Sequence, residues 1–261
     1  MLISSLFFLV YLIHFSLIQM KYLLLLFIPF MTFAQEKFKV EYEIRNFVTI
    51  SNTSPEKAKQ LEEAYSKPKF YELFVDKDKC LSKELQRIDN SQGSRMTIFT
   101  VEGDVVDKQT YLDFNSNEKI IEKSVDGKAY LVSDIIENND WKLTKETKII
   151  NGYKVRKAIL NNDIHLVEAW FSKDIKSKCG PNKYNNLPGL ILEVKSTVIE
   201  KPTTFTTITL ESIKLDNKIL IQKPSKGGQM NDVEFKVFIG DYYRKIDEKF
   251  KESQKQGVDK T

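Results

Sequence analysis

Trp141-Lys142-Leu143-Thr144-Lys145-Glu146-Thr147-Lys148-Ile149-Ile150-Asn151-Gly152-Tyr153-Lys154-Val155-Arg156-Lys157-Ala158-Ile159 reads as two alternating runs with a two-residue break. Trp141, Leu143, Lys145, Thr147 and Ile149 make a weak period-2 pattern before the break, and Tyr153, Val155, Lys157 and Ile159 resume it afterwards. Asn-Gly supplies the two positive-φ residues that a tight hairpin turn needs, so this stretch predicts a β-hairpin. Asp126-Gly127 divides Lys119–Val125 from Ala129–Ile135 in the same way. Upstream, Phe38, Val40, Tyr42 and Ile44 alternate with charged residues, the pattern of a half-buried strand.

Further strands are expected at Phe70–Lys77, Met96–Val101, Thr110–Phe114, Leu166–Phe171, Leu190–Val198 and Thr203–Leu215. In the last run the apolar phase moves from Ile208 and Leu210 to Ile213 and Leu215, which predicts a bulge near Glu211-Ser212. Two helices are expected. Pro55 to Ser66 begins behind Ser54 as cap, and a second begins at Asn231 and Glu234 with capping-box spacing. Phe235, Ile239, Tyr242, Tyr243, Ile246 and Phe250 then share one face at helical spacing, and residues 253–261 are read as a frayed tail. The fold class is therefore mainly β, a β-rich α+β chain. It is expected to form a curved antiparallel sheet or half-barrel of about ten strands with a C-terminal amphipathic helix.

Residues 1–34 hold one charged residue, Lys21. Met20-Lys21, the apolar run Tyr22 to Phe30 and Thr32-Phe33-Ala34 have the anatomy of a signal peptide, with translation starting at Met1 or at Met20. Retention of the segment as a membrane anchor is the alternative. Cleavage near Ala34 leaves one β-rich domain over residues 35–252 and its tail, exported to the periplasm or cell envelope. Without Lys21 the remainder carries 39 basic against 36 acidic residues, a mixed surface that gives no reason to expect nucleic acid. Cys80 and Cys179 lie 99 positions apart. In an oxidising compartment they can pair, and two free thiols are the other reading.

Catalytic chemistry is sparse. After residue 34 the one histidine is His165, with Asp163 two residues away, and no Gly-x-Ser-x-Gly elbow accompanies it. There is no zinc-ligand spacing, no glycine-rich phosphate loop and no complete calcium loop, so no cofactor or metal is expected.

Residues 170–194 are the distinctive segment. Leu187-Pro188-Gly189-Leu190 has the residues of a type II turn, and Leu190, Leu192 and Val194 alternate away from it. Asn186-Leu187-Pro188-Gly189-Leu190-Ile191 resembles the signature of the GLPGLI family, exported proteins of Bacteroidetes. Trp141, Lys148, Gly152-Tyr153, Ala169-Trp170-Phe171, Gly180-Pro181 and Tyr184 extend the resemblance over about 141–194. Asn186 stands where the family hexapeptide begins with Gly. Val155 and Arg156 stand where members carry a Cys after the Gly-Tyr. The resemblance implies export and supplies no activity. Trp170, Gly180, Pro181, Tyr184, Leu187, Pro188, Gly189, Leu190 and Ile191 are thus motif residues without a chemical role attached. Three functions stay open: non-enzymatic binding of an envelope partner or an apolar ligand in a concavity lined by Val40, Tyr42, Leu192 and Val194; a structural or assembly factor of the envelope; and a hydrolase using carboxylates or His165.

Overall fold

The computed structural model describes residues 37–85 and 105–258. The chain divides into Met1–Gln35 and Glu36–Thr261, and the described residues belong to the second unit. The strand expected at Met96–Val101 and the N-terminal segment lie outside the described residues.

The chain runs β1 (Phe38–Phe47), α1 (Pro55–Tyr65), β2 (Lys69–Asp76), β3 (Lys79–Leu85), β4 (Val105–Asp113), β5 (Glu118–Val125) and β6 (Lys128–Ile135). It continues through β7 (Lys142–Ile150), β8 (Tyr153–Asn161), β9 (His165–Ser172), β10 (Leu190–Val198), β11 (Lys201–Leu215), β12 (Gly228–Asn231) and α2 (Asp232–Val258). Among the described residues twelve strands form one sheet in the order β12-β6-β5-β4-β3-β2-β1-β11-β10-β9-β8-β7. Every pairing is antiparallel except β12 with β6.

The local chemistry of the turns is as the sequence predicts. Asn151 and Gly152 both take positive φ (47° and 83°), as do Asp126 and Gly127 (49° and 73°), so each pair closes a tight hairpin. Glu211 is the extra residue of a bulge, because Glu41 faces Ser212 while Tyr42 faces Leu210. The capping box at α2 is reciprocal: the Glu234 backbone N–H donates to Asn231 Oδ1 at 2.9 Å, and the Asn231 N–H donates to Glu234 Oε2 at 2.9 Å. Ser54 caps α1 through the Lys57 N–H.

One expectation is inverted. Leu143 and Ile149 are 43% and 65% exposed, while Lys148 and Ile150 are half-buried. β7 is an edge strand with an irregularity between Leu143 and Thr147. Lys148 lays its cation 4.4 Å from the Trp170 ring centre and pairs with Glu193 at 2.7 Å, so its apolar stem takes the place that alternation gives to leucine and isoleucine.

Six residues, 136–141, join β6 to β7. Those strands stand ten steps apart in the sheet. Ten steps at about 4.8 Å make ~48 Å in a flat sheet. A seven-bond stretch from Ile135 to Lys142 reaches at most ~25 Å. The sheet therefore bends toward itself while, among the described residues, its edge strands β7 and β12 do not pair with each other. Phe38, Val40, Tyr42 and Ile44 of β1 line the resulting inner face with Leu73, Val75, Cys80, Ala169, Phe171, Val194 and Ile208. Ile136 and Trp141, at the two ends of the crossing, pack into the same core. Near the β12 end, Phe235 of α2 is buried with Val125 and Val132, and Phe238, Ile239 and Tyr242 pack around it. Tyr243 and Phe250 lie on exposed surface.

Cys80 and Cys179 are bonded. The bridge ties residues 173–189, the link between β9 and β10, to β3, four steps from β10 along the sheet. This segment is a strap across the inner face. The Tyr42 hydroxyl, wholly buried, donates to the Ile191 carbonyl at 2.7 Å beside it.

Two outcomes follow from this packing. Replacing both cysteines with serine lowers the unfolding free energy by about 2–5 kcal/mol in urea titrations, and equal midpoints for the two proteins would remove the bridge from the account. Burial also raises the pKa of Tyr42, Tyr71, Tyr111 and Tyr184. Above the unfolded phenol pKa of about 10 the folded state then holds more protons, so stability is intact below that pH and falls as pH rises through it. Fluorescence-monitored unfolding at a series of alkaline pH values checks this; a flat profile from pH 9 to 12 contradicts it.

Candidate functional site

The strap contains most of the motif residues, and they are used for packing. Gly180, Pro181, Tyr184, Leu187, Gly189, Leu190 and Ile191 are buried, and Pro188 is exposed. The Trp141 indole N–H donates to the Asn185 carbonyl at 2.9 Å and its ring lies 6.3 Å from that of Tyr184, so the β6–β7 crossing holds the strap from above. Trp170 lies outside the strap proper. Its ring is flanked by Lys148 and Lys157, which pair with Glu193 and Glu168.

The type II turn is not formed. The Gly189 N–H donates back to the Leu187 carbonyl at 2.8 Å, which is a three-residue γ-turn centred on Pro188, and the Leu190 N–H donates to the Ile175 carbonyl instead. Two contacts explain the difference. Gly189 has φ 151°, and a Cβ there would sit 2.0 Å from the Ser172 carbonyl oxygen. The turn is pulled against the end of β9, so Leu190 finds its acceptor within the strap. A Cβ at Gly180 would likewise meet the Tyr184 carbonyl oxygen at 2.1 Å.

The residues considered for catalysis are not assembled. Asp163 is exposed in the β8–β9 turn, where Asn162 Oδ1 accepts the N–H groups of Ile164 and His165. His165 lines a cleft of about 280 Å³ with Ser196, but the Ser196 hydroxyl is hydrogen-bonded to Tyr184. Among the described residues no group of three or more His, Cys, Asp or Glu side chains is placed to hold a metal. Val40, Tyr42, Leu192 and Val194, expected to line an apolar concavity, are all buried in the main core.

Larger openings lie where α2 meets β5 and β6. A cleft of about 700 Å³ is bounded by Asn117, Glu118, Asp134, Ile135, Asp232 and Val233. A neighbouring one of about 380 Å³ shares Glu118 and Ser133 and adds Ile120, Leu131 and Lys223. Glu118 pairs with Lys223 at 2.6 Å, and Asp232 with Lys236 at 2.6 Å. Hydrogen bonding to Lys119 holds the Asp134 carboxyl below its usual range. Ile135 and Val233 are exposed beside these groups. The parallel β12–β6 pairing brings Asn231–Glu234 next to β6, and no sequence signal marks that pairing.

A sequence-family model described as the N-terminal domain of N-glycanase peptide matches residues 115–236. The chain also superposes on PNGF-II, solved in two crystal forms. TM-scores are 0.53 and 0.52 at 18% and 17% identity, covering 78% of this chain in both cases and 33% and 32% of PNGF-II. The chain thus spans about a third of the length of PNGF-II, and the likeness is one of fold. A LolA superfamily protein from Nitrosomonas europaea aligns over 70% of this chain and 87% of its own, at 7% identity and a TM-score of 0.31, too low to bear on the fold. No curated protein matches the chain.

The strap geometry predicts unequal glycines. Gly127→Ala meets no atom within 4 Å and pays only for its positive φ, about 1 kcal/mol. Gly189→Ala must displace the β9 backbone, so its thermal midpoint falls several times further. Similar midpoints for the two variants would show that the strap yields freely.

Proposed function

We propose that this chain is an exported, non-catalytic binding module of the cell envelope that seats a polypeptide segment of a partner in the corner cleft between α2 and β5–β6. The carrying observation is the lining of that cleft: exposed Ile135 and Val233 lie among three lysine–carboxylate pairs, Lys223–Glu118, Lys119–Asp134 and Lys236–Asp232, a combination suited to a segment that alternates charged and apolar side chains. The filled inner face supports the reading, because it leaves recognition to the rim. The N-terminal segment and the buried disulfide support export. So does the resemblance to the GLPGLI family. Asn186 has φ 67°, a conformation that Gly takes freely and Asn better than most residues, which accounts for Asn at the place of the first motif glycine. The match to the N-terminal domain of an N-glycanase supports a module that works beside another protein or domain.

A hydrolase is the second reading, favoured by the carboxylates that converge on the corner cleft. Against it, a general acid needs a raised pKa, and Asp134 is shifted the other way by Lys119.

Photo-crosslinking in the native envelope tests the binding reading. A crosslinker at position 135 or 233 is expected to give one defined polypeptide adduct, and at Leu166 on β9 none. Equal labelling at all three positions, or no adduct from either cleft position, would overturn it.

A further inference from the structure

We infer that the cleft beside His165 is a second binding site, specific for a neutral polyhydroxylated ring such as a pyranose. It uses none of the corner-cleft residues and stands or falls apart from the function proposed above. The cleft lies where β1, β11, β10 and β9 end near α1. Strand register builds it: Asn46 faces Thr206, Thr206 faces Ser196, and His165 faces Val198 on the next strand. Asn46, Thr206, Ser196 and His165 therefore come to one end of the bent face through four separate strands.

The lining selects the ligand class. No side chain bounding the cleft is a carboxylate, an ammonium or a guanidinium, so neither a phosphate nor a metal cation finds a charged partner there. A wholly apolar ligand is disfavoured as well, because entry would strip solvent from Asn46, Thr204, Thr206 and His165 without replacing their hydrogen bonds. A polyhydroxylated ring satisfies both conditions. Thr206 Oγ1 donates to Asn46 Oδ1 at 2.9 Å, which turns the Asn46 amide so that its NH₂ is left to donate. The His165 imidazole makes no hydrogen bond among the described residues, and it can donate from one nitrogen and accept at the other. Tyr65 stands exposed at the mouth. The volume, about 280 Å³, lies at the small end of ligand pockets and suits one ring rather than an extended chain.

Saturation-transfer NMR and calorimetry on the disulfide-bonded protein test the site. The probes are methyl pyranosides of glucose, mannose, galactose and N-acetylglucosamine, a short glycopeptide, and inorganic phosphate. At least one neutral pyranoside or the glycopeptide is expected to bind saturably and to shift the amide signals of Asn46, His165 and Thr206. Affinity is expected to fall about tenfold in Asn46→Ala and in His165→Ala, and to stay unchanged in Leu166→Ala. Binding of the glycopeptide alone assigns the ring to a protein-linked glycan, and binding of free pyranosides assigns it to the isolated sugar; either supports the site. If a variant fails to fold, the amide shifts of the unaltered protein decide. Shifts confined to other residues, displacement by phosphate, or no binding by any saccharide probe would overturn the proposal.

Discussion

The six residues that carry the chain from β6 to β7 connect two strands near opposite ends of a 12-stranded sheet, and a flat sheet would put those strands about twice as far apart as the connection can reach. Bending is the only way to satisfy both. A bent sheet has an inner face, and here that face is a continuous apolar surface from Cys80 through Val75 and Phe38 on one row and from Ala158 through Ala169, Val194 and Ile208 on another. In a single-layer sheet such a face needs a cover. The strap supplies it, and the disulfide fixes the strap to β3, four steps along the sheet from the nearer of its own roots. Trp141 and Ile136 close the arrangement because they sit on the crossing itself. Crossing, curvature and strap are one constraint seen at three places.

Local features were legible in the sequence because local chemistry determines them. Asn151-Gly152 and Asp126-Gly127 need only their own φ preferences to make hairpins. The displaced apolar phase after Leu210 registers the extra residue at Glu211 directly. Asn231 and Glu234 cap α2 through atoms three residues apart. What the sequence did not show depends on partners remote in the chain. β3 carries Lys79, Lys83 and Glu84 among its residues and lacks a clean alternation, yet it is held on both sides by β2 and β4. β12 is four residues long and exists through its parallel pairing with β6. The face of β7 that is half-buried is chosen by Trp170 and Glu193, which lie on β9 and β10, so no reading of residues 141–150 alone finds it.

The candidate sites were less legible for the same reason. His165 stood out as the one histidine after residue 34, but its neighbours in the small cleft come from β10 and β11, more than 30 positions away, and from β1, more than 100 away, and Asn46 and Thr206 have no feature that sets them apart in the sequence. The corner cleft depends on β12–β6 pairing and was invisible. Residues 170–194 drew attention by composition, and the structure shows why that composition is restrictive. Gly180 and Gly189 are backbone-to-backbone contacts that admit no side chain, and Leu187, Leu190 and Ile191 fill the core. A signature of this kind marks how a fold is closed and carries little about what it binds.

Filling the bend has a consequence for recognition. A carrier of apolar molecules needs an inner face that water or ligand can occupy, and this chain spends that face on its own strap, with Tyr42 hydrogen-bonded to the backbone at Ile191. Binding groups are then confined to places where strands end or helices dock, and the two clefts occupy such places. They differ in chemistry in a way that follows from their positions. The corner cleft borders the first turn of a helix, where Asp232 and Glu234 are favoured by the helix dipole, so carboxylates collect there. The His165 cleft borders only strand ends and the last residue of α1, and its lining is neutral. One sheet thereby presents a cleft with a charged lining and a cleft with a neutral one.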